Sequence, residues 1–347
     1  MNSLILNEFD NDQRREFVNT QQRFSTWRSA YARLKETRGS MTWQHKDGAQ
    51  YLLRSYYEKK GLRKQRSLGP RSPETERLKI EFETGRDEAK ERFAAIEAAL
   101  KRQAAINRGL GLGRVPLVTG RILRALDEHG LLGSGLRVVG TNAIYAYEAA
   151  AGLFVDSGLT TTGDIDLLLD SRRGVRFVLS EEVSERSLLA VLRNVDKSFE
   201  RMGGTYRAAN AEGYMIDLIK PMRNPPWQAD RVHVADENDG DLIAAEIEGL
   251  VWLENAPQFE SMVIDERGMP LRLVTVDPRM WAVHKHWLSS RVDRDPVKKR
   301  RDGDQARAIA HIVSTALPQL SLDSDQWQSL PKDKVEAAVS LFSAPGS

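Results

Sequence analysis

Apolar and polar positions along the chain follow two periods, and the switches between them mark out the elements. Residues 12–36 carry spaced apolar positions in a charged run with no breaker, which predicts a helix. Residues 41–46 and 49–57 alternate like strands and meet at Asp47-Gly48, a dipeptide suited to a tight hairpin turn. Ser72 as N-cap, Pro73 at the first helical position and Glu74 and Glu76 in the first turn open a long helix. Its stripe of Leu78, Phe82, Phe93, Ile96 and Leu100 runs to about Asn107. A glycine-punctuated stretch over 109–114 reads as a linker, since it lacks the preceding strand and the Lys-Ser/Thr ending of a phosphate-binding loop. A helix over 118–130 then leads into a short apolar strand from Leu136, a turn at Gly140 and a helix starting directly after Thr141. Strands follow over 162–169 and 214–221, and a hairpin over 259–264 and 269–276. Asp277 and Pro278 start a helix whose apolar stripe is Met280, Val283, His284, Trp287 and Leu288. A basic stretch follows it, then a second helix over 304–316. The pattern predicts an α+β protein with a mixed sheet and flanking helices. Three regions are expected: a helical N-terminal region with a basic hairpin (1–108, hairpin about 41–69), a central unit (115–235) and a hairpin-plus-helix C-terminal unit (236–347).

Chemistry concentrates in the central unit. In Thr162-Gly-Asp-Ile-Asp-Leu-Leu-Leu169 the carboxylates of Asp164 and Asp166 are two residues apart, so a strand projects both from one face. Like charges that close repel, and a hard divalent cation with oxygen ligands is the natural compensation. Taken alone the pair is equally a solvated strand edge. Upstream, the turn at Gly140-Thr141 offers free N–H groups and a hydroxyl suited to phosphate, or else an ordinary N-cap. Downstream, Asp217 lies in the otherwise apolar Tyr-Met-Ile-Asp-Leu-Ile, where a lone carboxylate is costly unless paired or metal-bound.

The order strand, Gly-Thr, helix, Asp-x-Asp strand, later Asp resembles the nucleotidyltransferase superfamily, over about the middle third of the chain. The resemblance departs in having Thr141 where a small Gly or Ser is usual, and in the long interval from Gly140 to Asp164. It implies a nucleotidyltransferase-like fold and transfer of an NMP from an NTP to an acceptor hydroxyl with release of pyrophosphate. Asp164, Asp166 and Asp217 would hold Mg²⁺ or Mn²⁺, and Asp217 would serve as base. Gly140 and Thr141 would hold the phosphates, with Lys285 and, more weakly, Lys220 as counter-charges. Minimal bacterial relatives also suggest a toxin–antitoxin or phage-defence setting acting on tRNA or a partner protein. The rival reading is a catalytically silent module of the same fold that binds nucleic acid or protein.

Net charge is only +2, so the whole-molecule field says little about partners, but its distribution does. Lys59, Lys60, Arg63, Lys64, Arg66 and Arg71 follow one another without an acidic residue, accompanied by Trp43, Tyr51, Tyr56 and Tyr57. That mixture suits phosphate contact and base stacking, as for RNA or tRNA, and equally describes an exposed basic sheet face. Zero cysteines exclude thiolate metal sites and a cysteine nucleophile and are compatible with a reducing cytoplasm. No apolar run reaches membrane-spanning length, and no secretory leader is expected. His284 and His286, two apart on a helix, do not share a face, so a histidine zinc site is not expected.

Overall fold

The computed structural model describes residues 6–57, 63–170, 187–203, 206–222, 241–322, 327 and 330–342. A short strand, β1 (Leu6–Glu8), precedes α1 (Asn11–Glu36), which opens on a reciprocal cap: the Asp10 carboxylate accepts from the Gln13 N–H at 2.8 Å, and the Gln13 side chain accepts from the Asp10 N–H at 3.0 Å. Three antiparallel strands follow, β2 (Ser40–Lys46), β3 (Ala49–Tyr57) and β4 (Arg63–Pro70), in that spatial order. The expected hairpin therefore gains a third strand that carries Arg63, Lys64 and Arg66; Lys59 and Lys60 lie outside the described residues. Helix α2 (Pro73–Gly109), capped at Ser72, returns alongside α1, and Trp27, Tyr31 and Phe93 pack ring against ring between them.

The central unit runs α3 (Leu117–Glu128), β5 (Leu136–Val139), a 3₁₀ turn over Gly140–Ala143, α4 (Ile144–Ala151), β6 (Leu153–Val155), α5 (Ser157–Thr160) and β7 (Asp164–Leu169). Then come α6 (Leu188–Val195), β8 (Glu200–Arg201), β9 (Arg207–Ala209), β10 (Met215–Pro221) and β11 (Ala245–Ile247). The mixed sheet has the order β5-β7-β10-β9-β8, with β7 antiparallel to β5 and parallel to β10. Strand β11 joins beside β10 beyond β9. The interval between Gly140 and Asp164 is thus structured: β6 pairs with β1, tying the N-terminus to the sheet domain.

The chain closes with α7 (Leu250–Asn255), the hairpin β12 (Gln258–Ile264) and β13 (Pro270–Val276), and helices α8 (Pro278–Ser290), α9 (Pro296–Ala316) and α10 (Lys332–Phe342). One hydrophobic core runs from Val115 to Phe342 and takes in Ile165, Leu167, Ile216 and Leu218 from the sheet as well as Trp281 and Ile309 from the last helices. Residues on both sides of position 235 therefore share it. Helix α9 begins eight residues before the expected start at Asp304. The Asp295 carboxylate accepts from the N–H groups of Val297 and Lys298 at 3.0 and 3.1 Å, and Pro296 occupies the first helical position. The basic stretch Lys298-Lys299-Arg300-Arg301 is consequently helix, not loop. Among the described residues no helix is long and apolar enough to cross a membrane.

The turn between β12 and β13 seats the N-terminal helices on this core. Gly268 has φ +82°, a Cβ there would lie 2.0 Å from the Ala104 carbonyl oxygen of α2, and its own carbonyl accepts from Asn107 Nδ2 at 2.9 Å. Gly268→Ala is expected to destabilise the protein by about 2 kcal/mol or more in urea unfolding, because both the left-handed backbone and the close approach oppose a side chain.

Candidate active site

Strand alternation and sheet register together build the site. Asp164 and Asp166 leave β7 on one face while Ile165 and Leu167 enter the core on the other. In the parallel ladder Asp217 of β10 lies abreast of Asp166, so three carboxylates share that face. The Thr162 hydroxyl donates to the Asp164 carboxylate, and Asn142 Nδ2 donates to the Asp164 carbonyl at 2.7 Å.

Gly140 follows β5, which pairs with β7 so that Val139 lies opposite Asp166. Its φ is +63°, and a Cβ would stand 2.0 Å from Asp166 Oδ2. Backbone and carboxylate therefore approach as only glycine allows. The Trp281 indole N–H donates to the Gly140 carbonyl at 3.1 Å, fixing the turn from α8. The backbone after Thr141 first makes the 3₁₀ turn, and α4 begins only at Ile144. The Thr141 hydroxyl accepts from Gln305 Nε2 at 3.2 Å and Arg301 Nη2 at 3.4 Å, both on α9. The same side chains donate to the carbonyls of Leu159 and Thr161, so α9 clamps the two loops that flank the carboxylates.

Charge on this face is unevenly matched. Burial, the neighbouring Asp164 and then Asp217 push the Asp166 carboxyl up to about 6, against the pull of Lys285 and Arg294. Asp217 has its own partner: Arg207 of β9 grips it with Nε to Oδ1 and Nη2 to Oδ2, both at 2.6 Å, and the bond raises the Arg207 pKa. Lys285 is buried, and its ammonium donates to Asp302 Oδ1 at 2.7 Å and lies 5.3 Å from the Trp281 ring centroid. Burial lowers its pKa while Asp302 pulls the other way. Arg294 holds the second oxygen of Asp302 at 2.8 and 2.7 Å. Asp302 thus fixes two cations whose fields reach Asp166.

The structure brings Asp164, Asp166, Asp217, Gly140, Thr141 and Lys285 to one region, but not Lys220. Three residues beyond Asp217 on the same strand, Lys220 takes the opposite face, where it is buried 3.7 Å from Glu246. Among the described residues no three His, Asp or Glu side chains are gathered as a metal cage, and Asp217 is paired with Arg207. The donors still fit a hard divalent cation: Asp164 and Asp166 set oxygen ligands on one strand face, their charges in mutual repulsion, and the glycine at 140 lets the backbone come up against the Asp166 carboxylate. Sequence reading missed Arg207, Asp302, Arg294, Arg301, Gln305 and Trp281. Their roles come from contacts between separate elements, and the local signals are the two aspartates, Asp295 and Asp302, that bracket the basic run 298–301.

A family profile described as nucleotidyltransferase matches residues 118–331, a span that runs from α3 to beyond α9 and contains every residue of this site. No curated protein and no solved structure matches the chain. With the profile covering well over half of the chain and the Gly-Thr turn set against the Asp-x-Asp strand, the chain belongs to the nucleotidyltransferase family, a transferase of phosphorus-containing groups that takes an NTP as substrate.

Proposed function

We propose that this is a divalent-metal-dependent enzyme that transfers the NMP of an NTP to an acceptor hydroxyl and releases pyrophosphate. The observation that carries it is the Asp164/Asp166 pair, two like charges in mutual repulsion on one strand face, with a glycine turn set against Asp166. Asp164 and Asp166 would hold Mg²⁺ or Mn²⁺, which when bound stabilises charge on the phosphates and makes the acceptor hydroxyl more acidic. The N–H groups and hydroxyl at Gly140-Thr141 bind the outer phosphates, with Lys285 and Arg294 supplying positive field from behind. The acceptor oxygen attacks the α-phosphorus, the bond from that phosphorus to the β-phosphate oxygen breaks in line, and Asp217 takes the acceptor proton once its oxygens are released from Arg207.

For the acceptor, RNA is favoured over a protein or a small molecule by the β2-β3-β4 sheet. None of its three strands carries a carboxylate, and cross-strand neighbours set Arg54 beside Arg66 and Tyr56 beside Lys64. The Arg54 guanidinium is turned onto the Phe82 ring and the Ser55 and Arg38 carbonyls, which leaves Arg63, Lys64 and Arg66 as the exposed charges of β4 that suit a polyanion. A toxin–antitoxin or phage-defence role would direct this chemistry at tRNA or a partner protein.

Three outcomes test this reading. Asp164→Asn and Asp166→Asn should each lower transfer from α-labelled NTPs into an RNA pool by about 100-fold or more; undiminished transfer in either would sink the assignment, and RNA binding without transfer in the wild type would identify the silent module. Asp166 also predicts a pH signature. Its carboxyl is raised from 3.8 to about 6 in the fold, so its contribution to stability is present below pH 4 and lost as pH rises through 6. In EDTA, Asp166→Asn should therefore be more stable than wild type at pH 8, on the order of 1–3 kcal/mol, and the gain should vanish near pH 4. Finally, the double substitution Arg63→Ala/Arg66→Ala should weaken binding of single-stranded RNA by about tenfold at low salt and flatten the salt dependence. Equal affinity and slope in the two proteins would remove the sheet from the acceptor site.

A further inference from the structure

Asp217 is the one carboxylate on the acidic face that already has a full partner. The pairing is built into the sheet: Arg207 and Asp217 are directly opposite in the antiparallel β9-β10 ladder, so the contact needs no unusual reach. Both carboxylate oxygens are used at 2.6 Å, and the guanidinium also lies 5.6 Å from the Tyr206 ring and within the field of Asp164. The Asp217 side chain is 10% exposed, whereas Arg207 is 33% exposed, so the base stays while the arginine has room to leave. Among the described residues the other cations of the site are engaged elsewhere: Lys285 and Arg294 with Asp302, and Arg301 with the Thr141 hydroxyl and the Thr161 carbonyl.

A doubly charged ion beside Asp166 would meet the guanidinium on the adjacent carboxylate, and two cations that close repel. Resting on the metal-dependent reading above, we propose that Arg207 is a latch: it is the resident counter-cation of Asp217, a divalent metal must displace it, and the freed guanidinium then takes a phosphate of the nucleotide. The planar fork suits either partner, since carboxylate and phosphate both accept paired N–H donors. Arg207 is on this account a positioning residue that sets metal affinity and couples it to nucleotide.

The test is Mn²⁺ binding by the full chain at pH 8 without nucleotide, followed by electron paramagnetic resonance, in wild type, Arg207→Met, Arg207→Lys and Asp164→Asn. Arg207→Met should bind Mn²⁺ at least about tenfold more tightly, with Arg207→Lys, which keeps the charge but loses the fork, between it and wild type. Without metal, Arg207→Met should melt lower than wild type because it strands a buried carboxylate, and Mn²⁺ should restore it; a merely structural ion pair would show no such rescue. If Arg207→Met does not fold, Arg207→Lys carries the comparison, and an affinity equal to or weaker than wild type overturns the latch. Unchanged Mn²⁺ affinity in the Arg207 variants together with loss of binding in Asp164→Asn overturns the latch and leaves the metal site standing. Absence of Mn²⁺ binding in every protein overturns both.

Discussion

The site depends on one unfavourable interaction, the crowding of carboxylates on the polar face of β7 and β10. Asp164 and Asp166 emerge together, Asp217 lies alongside, and Asp166 bears the cost in a carboxyl pushed up to about 6. Such a cluster persists only where the surrounding fold over-determines it. Here the other face of the same strands supplies that: Ile165, Leu167, Ile216 and Leu218 are fully buried, so a register slip that separated the charges would expose the core residues.

The rest of the chain is arranged around that face. Gly140 brings backbone to the edge of Asp166, Trp281 anchors the turn from α8, and Gln305 and Arg301 fasten Thr141 from α9. These last two helices are therefore part of the site and not an appendage. Their buried hub is Asp302, which binds Lys285 with one oxygen and Arg294 with the other. A buried carboxylate with two cations leaves net positive charge behind the acidic face, so the cations soften the repulsion there without neutralising it by contact.

Much of this was legible because strand chemistry is local. Period-2 alternation is enough to put Asp164 and Asp166 on one face, and the Gly-Thr turn and Asp217 follow from an apolar strand broken by one polar residue. Long-range partners were not legible. Arg207 is ten residues from Asp217, and only the β9-β10 register makes them opposite; Asp302 looks like one more charge in a basic run until α8 and α9 pack together. Lys220, which the resemblance offers as a weaker counter-charge, is turned by strand parity to the face opposite Asp217, where it lies near Glu246. The start of α9 is readable in Asp295-Pro296, a cap and first-turn pair, although the sequence pattern puts the helix only at Asp304, after the basic stretch.

The placement of that helix start matters to the chemistry. Had the basic run been a loop, Arg301 would have moved independently of the residues around it. As helix, it shares a rigid axis with Asp302 and Gln305, so the donors that clamp Thr141 and the carboxylate that holds Lys285 cannot shift separately. A displacement of α9 would at once loosen the Gly140-Thr141 side of the site and alter the positive field on Asp166. The acidic face, the Gly-Thr turn and the cationic backing are therefore coupled through one helix, although they lie far apart in the sequence.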